Sequence, residues 1–100
     1  MDVTAQVITI IYEAIDEANE VRAKHEWIAK DREEQLVGGS SKLDSLTLLN
    51  LVVAVEERVN GKFETSLDLS GMLALDPSSS PLRTVGSFAD HLGSRLEASG

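Results

Sequence analysis

Along the first third of the chain, apolar residues recur at Val3, Val7, Ile10, Ile11, Ala14, Ile15, Ala18 and Val21. That spacing of three and four residues is the period of one helix face. The opposite side carries Glu13, Asp16, Glu17 and Glu20. No Gly or Pro interrupts residues 2–35, and Glu20 with Lys24 and Glu26 with Lys30 form i,i+4 pairs in the favourable order. The pattern predicts helix over 2–35. A straight helix of that length would measure about 50 Å. This exceeds what a small domain needs, so the part beyond Arg22 is expected to overhang or to fold across the rest.

The first breaker is "VGGSSK" at 37–42, inside an expected loop over 36–43. A second helix is predicted over 44–59, ended by Asn60 and Gly61. Within it "LVVAV", 51–55, is β-branched enough for a strand, but helical spacing continues on both sides of it. Residues 60–83 form a variable segment, with room for one short helix in "TSLDLSGMLAL" and a flexible loop at "DPSSSP". A last helix is predicted over 84–97, with Thr84 as N-cap and Val85, Phe88, Leu92 and Leu96 as its apolar face. The expected fold is all-α: one domain over 1–100, a small four-helix bundle of three main helices and one short one, with an extended first helical region.

The second helix departs from a simple amphipathic pattern. Leu48, Leu51, Val52, Val55 and Val59 share one face, suited to pack on Val7, Ile11 and Ile15 and on Phe88 and Leu92. Leu46, Asn50, Val53 and Glu57 share another, and two of these are large and apolar. Two arrangements account for this. The helix is buried on two sides, or the second face is a docking strip with an apolar centre and an acidic rim at Glu56 and Glu57.

Composition narrows the partners. Seventeen acidic against nine basic residues give a formal net charge of −8. Phosphate repulsion then disfavours nucleic acid, and anionic membranes likewise; partners with basic surfaces are favoured. There is no cysteine, hence no disulfide framework or thiolate metal site. Asp2 and the lack of early Lys/Arg do not suit a signal peptide, and no apolar run reaches the length of a membrane span. The expectation is a cytoplasmic, monomeric protein without membrane insertion. His25 and His91 are far apart in sequence and lack a surrounding ligand cluster, which argues against a metal site. Trp27 is expected to cover the core.

Asp44 is a good N-cap for the second helix, and Ser45 would then hold the first helical position, at the positive end of the dipole. A phosphate esterified there would be favoured by the first-turn N–H groups. Taken alone, the pair is most simply the start of a helix.

The pair is embedded in a longer pattern. "LDSLTLLNLVVAVEERV" resembles the acyl carrier protein signature: Asp44-Ser45-Leu46, an apolar run from Leu48 to Val55, then Glu56-Glu57 ahead of Val59. "TVGSFADHL" resembles the start of that family's last helix. The likeness covers 43–59 and 84–92; elsewhere only the helical pattern agrees. It implies a four-helix bundle bearing 4′-phosphopantetheine on Ser45, with Asp44 as part of the motif. A separate phosphopantetheinyl transferase would attach the group from coenzyme A with magnesium, and its thiol would hold acyl groups as thioesters. Partner enzymes would be acyl-transferring or acyl-modifying ones with basic docking surfaces, meeting Leu46, Asn50, Val53, Glu56 and Glu57. The protein itself would not be an enzyme, and no Ser/His/Asp arrangement suggests otherwise.

An alternative register, in which "LVGGSS" matches the Gly-Gly-x-Ser of peptidyl carrier proteins, would move the serine to Ser40 or Ser41. It starts the apolar pattern several residues late and is set aside, though aminoacyl or peptidyl cargo stays open. So does an unmodified helical interaction domain with the same fold. Asn50 stands where the family usually has a glutamate, Ser41-Lys42 replace the usual Leu-Gly, residues 22–34 extend the first loop and 66–83 carry an insertion. These departures point to a specialised carrier in a fatty-acid, lipid or polyketide-type pathway.

Overall fold

The computed structural model describes residues 3–36, 43, 45–69 and 81–99, with backbone alone at 45, 81, 98 and 99. Among them are three α-helices, α1 (Val3–Asn19), α2 (Ser45–Phe63) and α3 (Val85–Ser99), two short 3₁₀ turns at Lys24–Glu26 and Pro81–Arg83, and no strand. α1 packs against both α2 and α3. The predicted faces form the core: Val7, Ile11 and Ile15 from α1, Leu48, Leu51, Val52, Val55 and Val59 from α2, and Val85, Phe88, Leu92 and Leu96 from α3 are buried together. Phe88 is the one aromatic side chain of this otherwise aliphatic interior. The fold is thus small and all-helical among the described residues; of the stretch proposed for a fourth helix, 65–75, residues 65–69 are not helical and 70–75 lie outside the described residues.

Helix does not run to residue 35. α1 stops at Asn19, and Arg22 N–H closes the last turn on the Asn19 carbonyl. No Gly or Pro is involved. The buried Asn19 side chain donates from Nδ2 to the Ile28 carbonyl (3.0 Å) and accepts the Ile28 N–H on Oδ1 (2.9 Å). This two-way bond folds residues 20–36 back over the bundle and drives Ile28 and Leu36 into the core. Burying two large aliphatic side chains contributes about 3–6 kcal/mol, far more than the few tenths expected from the i,i+4 pairs of a continued helix. Lys30 accordingly reaches Asp16 (3.0 Å) instead of Glu26.

The returning segment meets the head of α3. Leu36 N–H donates to Arg83 O, while Val85 and Gly86 N–H groups donate to the Glu34 and Arg32 carbonyls (3.0 and 2.8 Å). A Cβ on Gly86 would lie 3.1 Å from the Arg32 carbonyl oxygen, which accounts for the glycine of Thr84-Val85-Gly86. Thr84 caps α3 as expected: Ser87 N–H donates to Thr84 Oγ1 (3.1 Å) and Thr84 N–H to Ser87 Oγ (3.0 Å), a reciprocal capping box.

α2 overruns its expected end. Gly61 lies inside the helix, and the left-handed residue is Glu64 (φ 54°). Thr65 N–H donates to the Asn60 carbonyl (3.2 Å), the six-to-one bond of a Schellman turn. Asn60 also holds the outgoing chain, accepting Thr65 Oγ1–H and Leu67 N–H and donating to Leu67 O.

Candidate functional site

Ser45 is the first residue of α2, where the apolar pattern places it. Asp44 and the Ser45 side chain lie outside the description. Leu43 and Leu48 occupy the positions just before the cap and four into the helix, and both pack on the core. A pair so placed acts as a hydrophobic staple and sets the angle at which the chain enters α2. Ser45 is therefore presented from a helix anchored along its whole inner face.

The outer face of α2 is open. Leu46 is 66% exposed, Leu49 38% and Val53 37%, with Asn50 and Glu57 exposed between and beyond them. The helix is not buried on this side: Leu46 and Val53, the apolar residues that had no reason to point outward, do so. Four of the expected contact residues, Leu46, Asn50, Val53 and Glu57, share this stripe. Glu56 does not. It is half-buried, and its Oε2 accepts the Leu69 N–H at 2.7 Å, tying the segment after α2 to the helix. The acidic rim is reduced to Glu57, because a quarter-turn along the helix decides which carboxylate meets solvent and which meets the chain.

Beside the stripe, α1 and α2 run antiparallel and leave a cleft of about 240 Å³, walled by Ala14, Ala18, Val21 and Arg22 of the first helix and its exit and by Thr47, Asn50, Leu51 and Ala54 of the second. Glu17 at its edge accepts from Arg58 Nη2 of α2. Val21, expected on the buried stripe of a longer helix, stands 90% exposed at the rim because α1 has already ended. The periodicity missed this feature: its eighth position falls past the helix that the first seven define.

Trp27 is 45% exposed instead of covering the core. Its Nε1–H donates to Arg22 O (3.2 Å), and Lys24 Nζ lies 5.8 Å from the ring centroid. Ile28, next in sequence, takes the core position. His91 is partly buried; burial first, and the Arg95 guanidinium second, lower its pKa from the ordinary histidine value. Among the described residues, no group of three or more His, Cys, Asp or Glu could hold a metal ion, and no helix is long and apolar enough to cross a membrane.

No protein-family model, curated protein or solved structure matches this chain.

Proposed function

We propose that the protein is an acyl carrier, modified with 4′-phosphopantetheine on Ser45 and holding its cargo on that arm as a thioester. The observation that carries the reading is the placing of Ser45 at the head of α2, a helix whose first ten residues bear no charge and whose outer face is apolar. The motif Asp44-Ser45-Leu46 supports it, as does the second motif at Thr84-Val85-Gly86, whose glycine meets the folded-back segment at close range. A phosphodiester suits this position: the first-turn N–H groups and the helix dipole favour an anion there. The arm supplies a thiol, which the chain itself lacks. The chain supplies a point of attachment at the head of a packed helix and an exposed helix face for recognition.

In this reading the bundle gains its fourth, short helix from the variable segment. The protein works as a cytoplasmic monomer, served by a phosphopantetheinyl transferase and by acyl-transferring or acyl-modifying enzymes with basic docking surfaces. Its acidity steers such partners toward it. The cargo belongs to a specialised fatty-acid, lipid or polyketide-type pathway, or is an aminoacyl group.

A second reading keeps the fold and drops the arm. The exposed stripe of Leu46, Leu49 and Val53 would serve an unmodified interaction domain equally well. Intact mass after incubation with a broad-specificity phosphopantetheinyl transferase, magnesium and coenzyme A separates the two, with Ser45→Ala as control. The carrier gains one phosphopantetheine and the variant none. A native-host protein that also lacks the group would leave the interaction domain.

A further inference from the structure

Neither packing nor backbone conformation accounts for Gly61. A Cβ there would meet nothing within 4 Å, and the residue lies inside α2. Glycine is unfavourable in a helix interior relative to alanine. What it changes is the chemistry of the residue before it, Asn60. The side-chain amide carbon of an asparagine is open to attack by the backbone nitrogen of the next residue, and a following glycine sets no side chain in the way. The other two asparagines, Asn19 and Asn50, are followed by Glu20 and Leu51, whose side chains obstruct the same approach.

Asn60 is also the residue that holds the exit of α2. Its Nδ2 donates to Leu67 O (3.0 Å), its Oδ1 accepts Thr65 Oγ1–H (2.8 Å) and Leu67 N–H (2.9 Å), and its carbonyl accepts Thr65 N–H (3.2 Å). These bonds keep the amide turned toward residues 65–67, and the helix keeps Gly61 N in its ladder, so ring closure requires the turn to open. That turn is the weak part of the helix. Asn60 precedes the last helical residue, Phe63, by three positions, and the turn is closed by Glu64 in the left-handed region (φ 54°), where an L-residue is strained. Fraying of the last turn frees both reacting groups together.

We infer that Asn60 is a site of spontaneous deamidation, gated by opening of the last turn of α2. The Gly61 nitrogen attacks Asn60 Cγ, its proton passes to the leaving amide nitrogen, the Cγ–Nδ2 bond breaks and ammonia departs. The succinimide so formed takes up one water, which opens it at either carbonyl to give aspartate or isoaspartate at position 60. Either product removes the donor that Leu67 O receives and sets a carboxylate against that carbonyl. The isoaspartate also puts an extra methylene into the helix backbone. Residues 65–69 then lose their hold, and Glu56, whose Oε2 accepts Leu69 N–H, returns to solvent beside exposed Glu57. The change is one-way and adds negative charge at the end of α2 opposite Ser45. It does not depend on the carrier reading.

The test is peptide mapping by mass spectrometry of the full chain, held at mildly alkaline pH with and without an unfolding concentration of urea. Conversion is read from the mass gain of amide to acid at Asn60. Asn50, exposed on the same helix but followed by leucine, is the internal reference. In urea Asn60 converts freely. In the folded chain it is expected to convert about 10- to 100-fold more slowly, the factor set by opening of a helix end, while Asn50 stays unchanged. Gly61→Ala, whose Cβ has open space, keeps its circular dichroism and stays unconverted in both conditions over the same period. Glu64→Gly relieves the turn and slows folded-state conversion about two- to fivefold. Thr65→Val removes one bond to Asn60 Oδ1 and speeds it. Neither alters the rate in urea. Folded and unfolded chains converting at one rate would overturn the inference, because nothing would then gate the site. So would a folded chain that stays unconverted for longer than about a hundred times the period needed in urea. Folded-state rates that ignore Glu64→Gly and Thr65→Val would place the opening elsewhere than the last turn of α2, and the gate would fall with them.

Discussion

Glu64 shows how a single residue can work against its neighbourhood. It holds φ at 54°, a region that costs an L-residue about 1–2 kcal/mol, in a Schellman turn where glycine is usual. Gly61, three positions earlier, spends its freedom inside the helix with open space around it. Glu64→Gly is expected to stabilise the fold by about 0.5–1 kcal/mol, the relief of strain exceeding the greater freedom of the unfolded chain; a urea midpoint moving upward would show it. His91 makes a prediction about pH. Its folded pKa is lowered, chiefly by burial and then by Arg95. The unfolded chain thus binds more protons between that value and about 6.5. The contribution of neutral His91 is full above pH 6.5 and is lost as pH falls toward the folded pKa. An NMR titration should find the imidazole below its ordinary range, and Arg95→Gln should raise it part of the way. A full return would mean that burial is not the larger cause.

Among the elements, α2 and α3 were legible because their signals are local. Thr84 and Ser87 lie three residues apart, and Leu48, Leu51, Val52, Val55 and Val59 repeat on one face within a single helix. The end of α1 was illegible for the opposite reason. What stops it is a bond between Asn19 and a residue nine positions on, and the reward for making that bond is core space for Ile28 and Leu36 that exists only once α2 and α3 are in place. Glu56 escaped for a similar reason, since its partner is the Leu69 backbone, which no side-chain pattern announces. Of the candidate site, the position of Ser45 could be read in advance; the face of Leu46, Asn50 and Val53 fitted burial or exposure equally, and the cleft at Val21 depends on where α1 ends. Asn19→Ala tests this account. It leaves the buried Ile28 N–H and C=O unpaired and should cost about 2–3 kcal/mol. Hydrogen exchange should rise first at Ile28 and Leu36, while α2 keeps its protection. Uniform loosening of all three helices would show that the bond supports the whole bundle and not the returning segment.

At the scale of the molecule, helix packing and charge pull in different directions. α1 and α3 approach so closely that a Cβ on Gly93 would collide with Thr4 Oγ1. Gly93→Ala should therefore be destabilising despite alanine's better helix propensity, and should turn stabilising in a Thr4→Ala background, where the nearest remaining contact is an ordinary 3.4 Å. That close packing gathers charge as well. α1 sets Glu13 one turn before Glu17 and Asp16 one turn before Glu20, like-charge pairs that each cost a few tenths of a kcal/mol. Lys30 on Asp16 and Arg58 on Glu17 offset part of this, and Arg32 on Asp90 adds a third pair. All three pairs involve an exposed carboxylate, however, and such pairs contribute about 0–1 kcal/mol each. Repulsion among eight uncompensated negative charges acts over the whole surface and outweighs them. Salt screens both terms, so the larger one decides the sign. The urea midpoint at pH 7 should rise between low ionic strength and 0.5 M sodium chloride. Glu13→Gln, at an exposed position, removes one repulsive pair without breaking an ion pair. It should raise the low-salt stability by about 0.2–0.5 kcal/mol, moving the midpoint upward, and flatten the salt response. A midpoint that falls with salt would mean that the three ion pairs, and not the net charge, dominate the electrostatics of the fold.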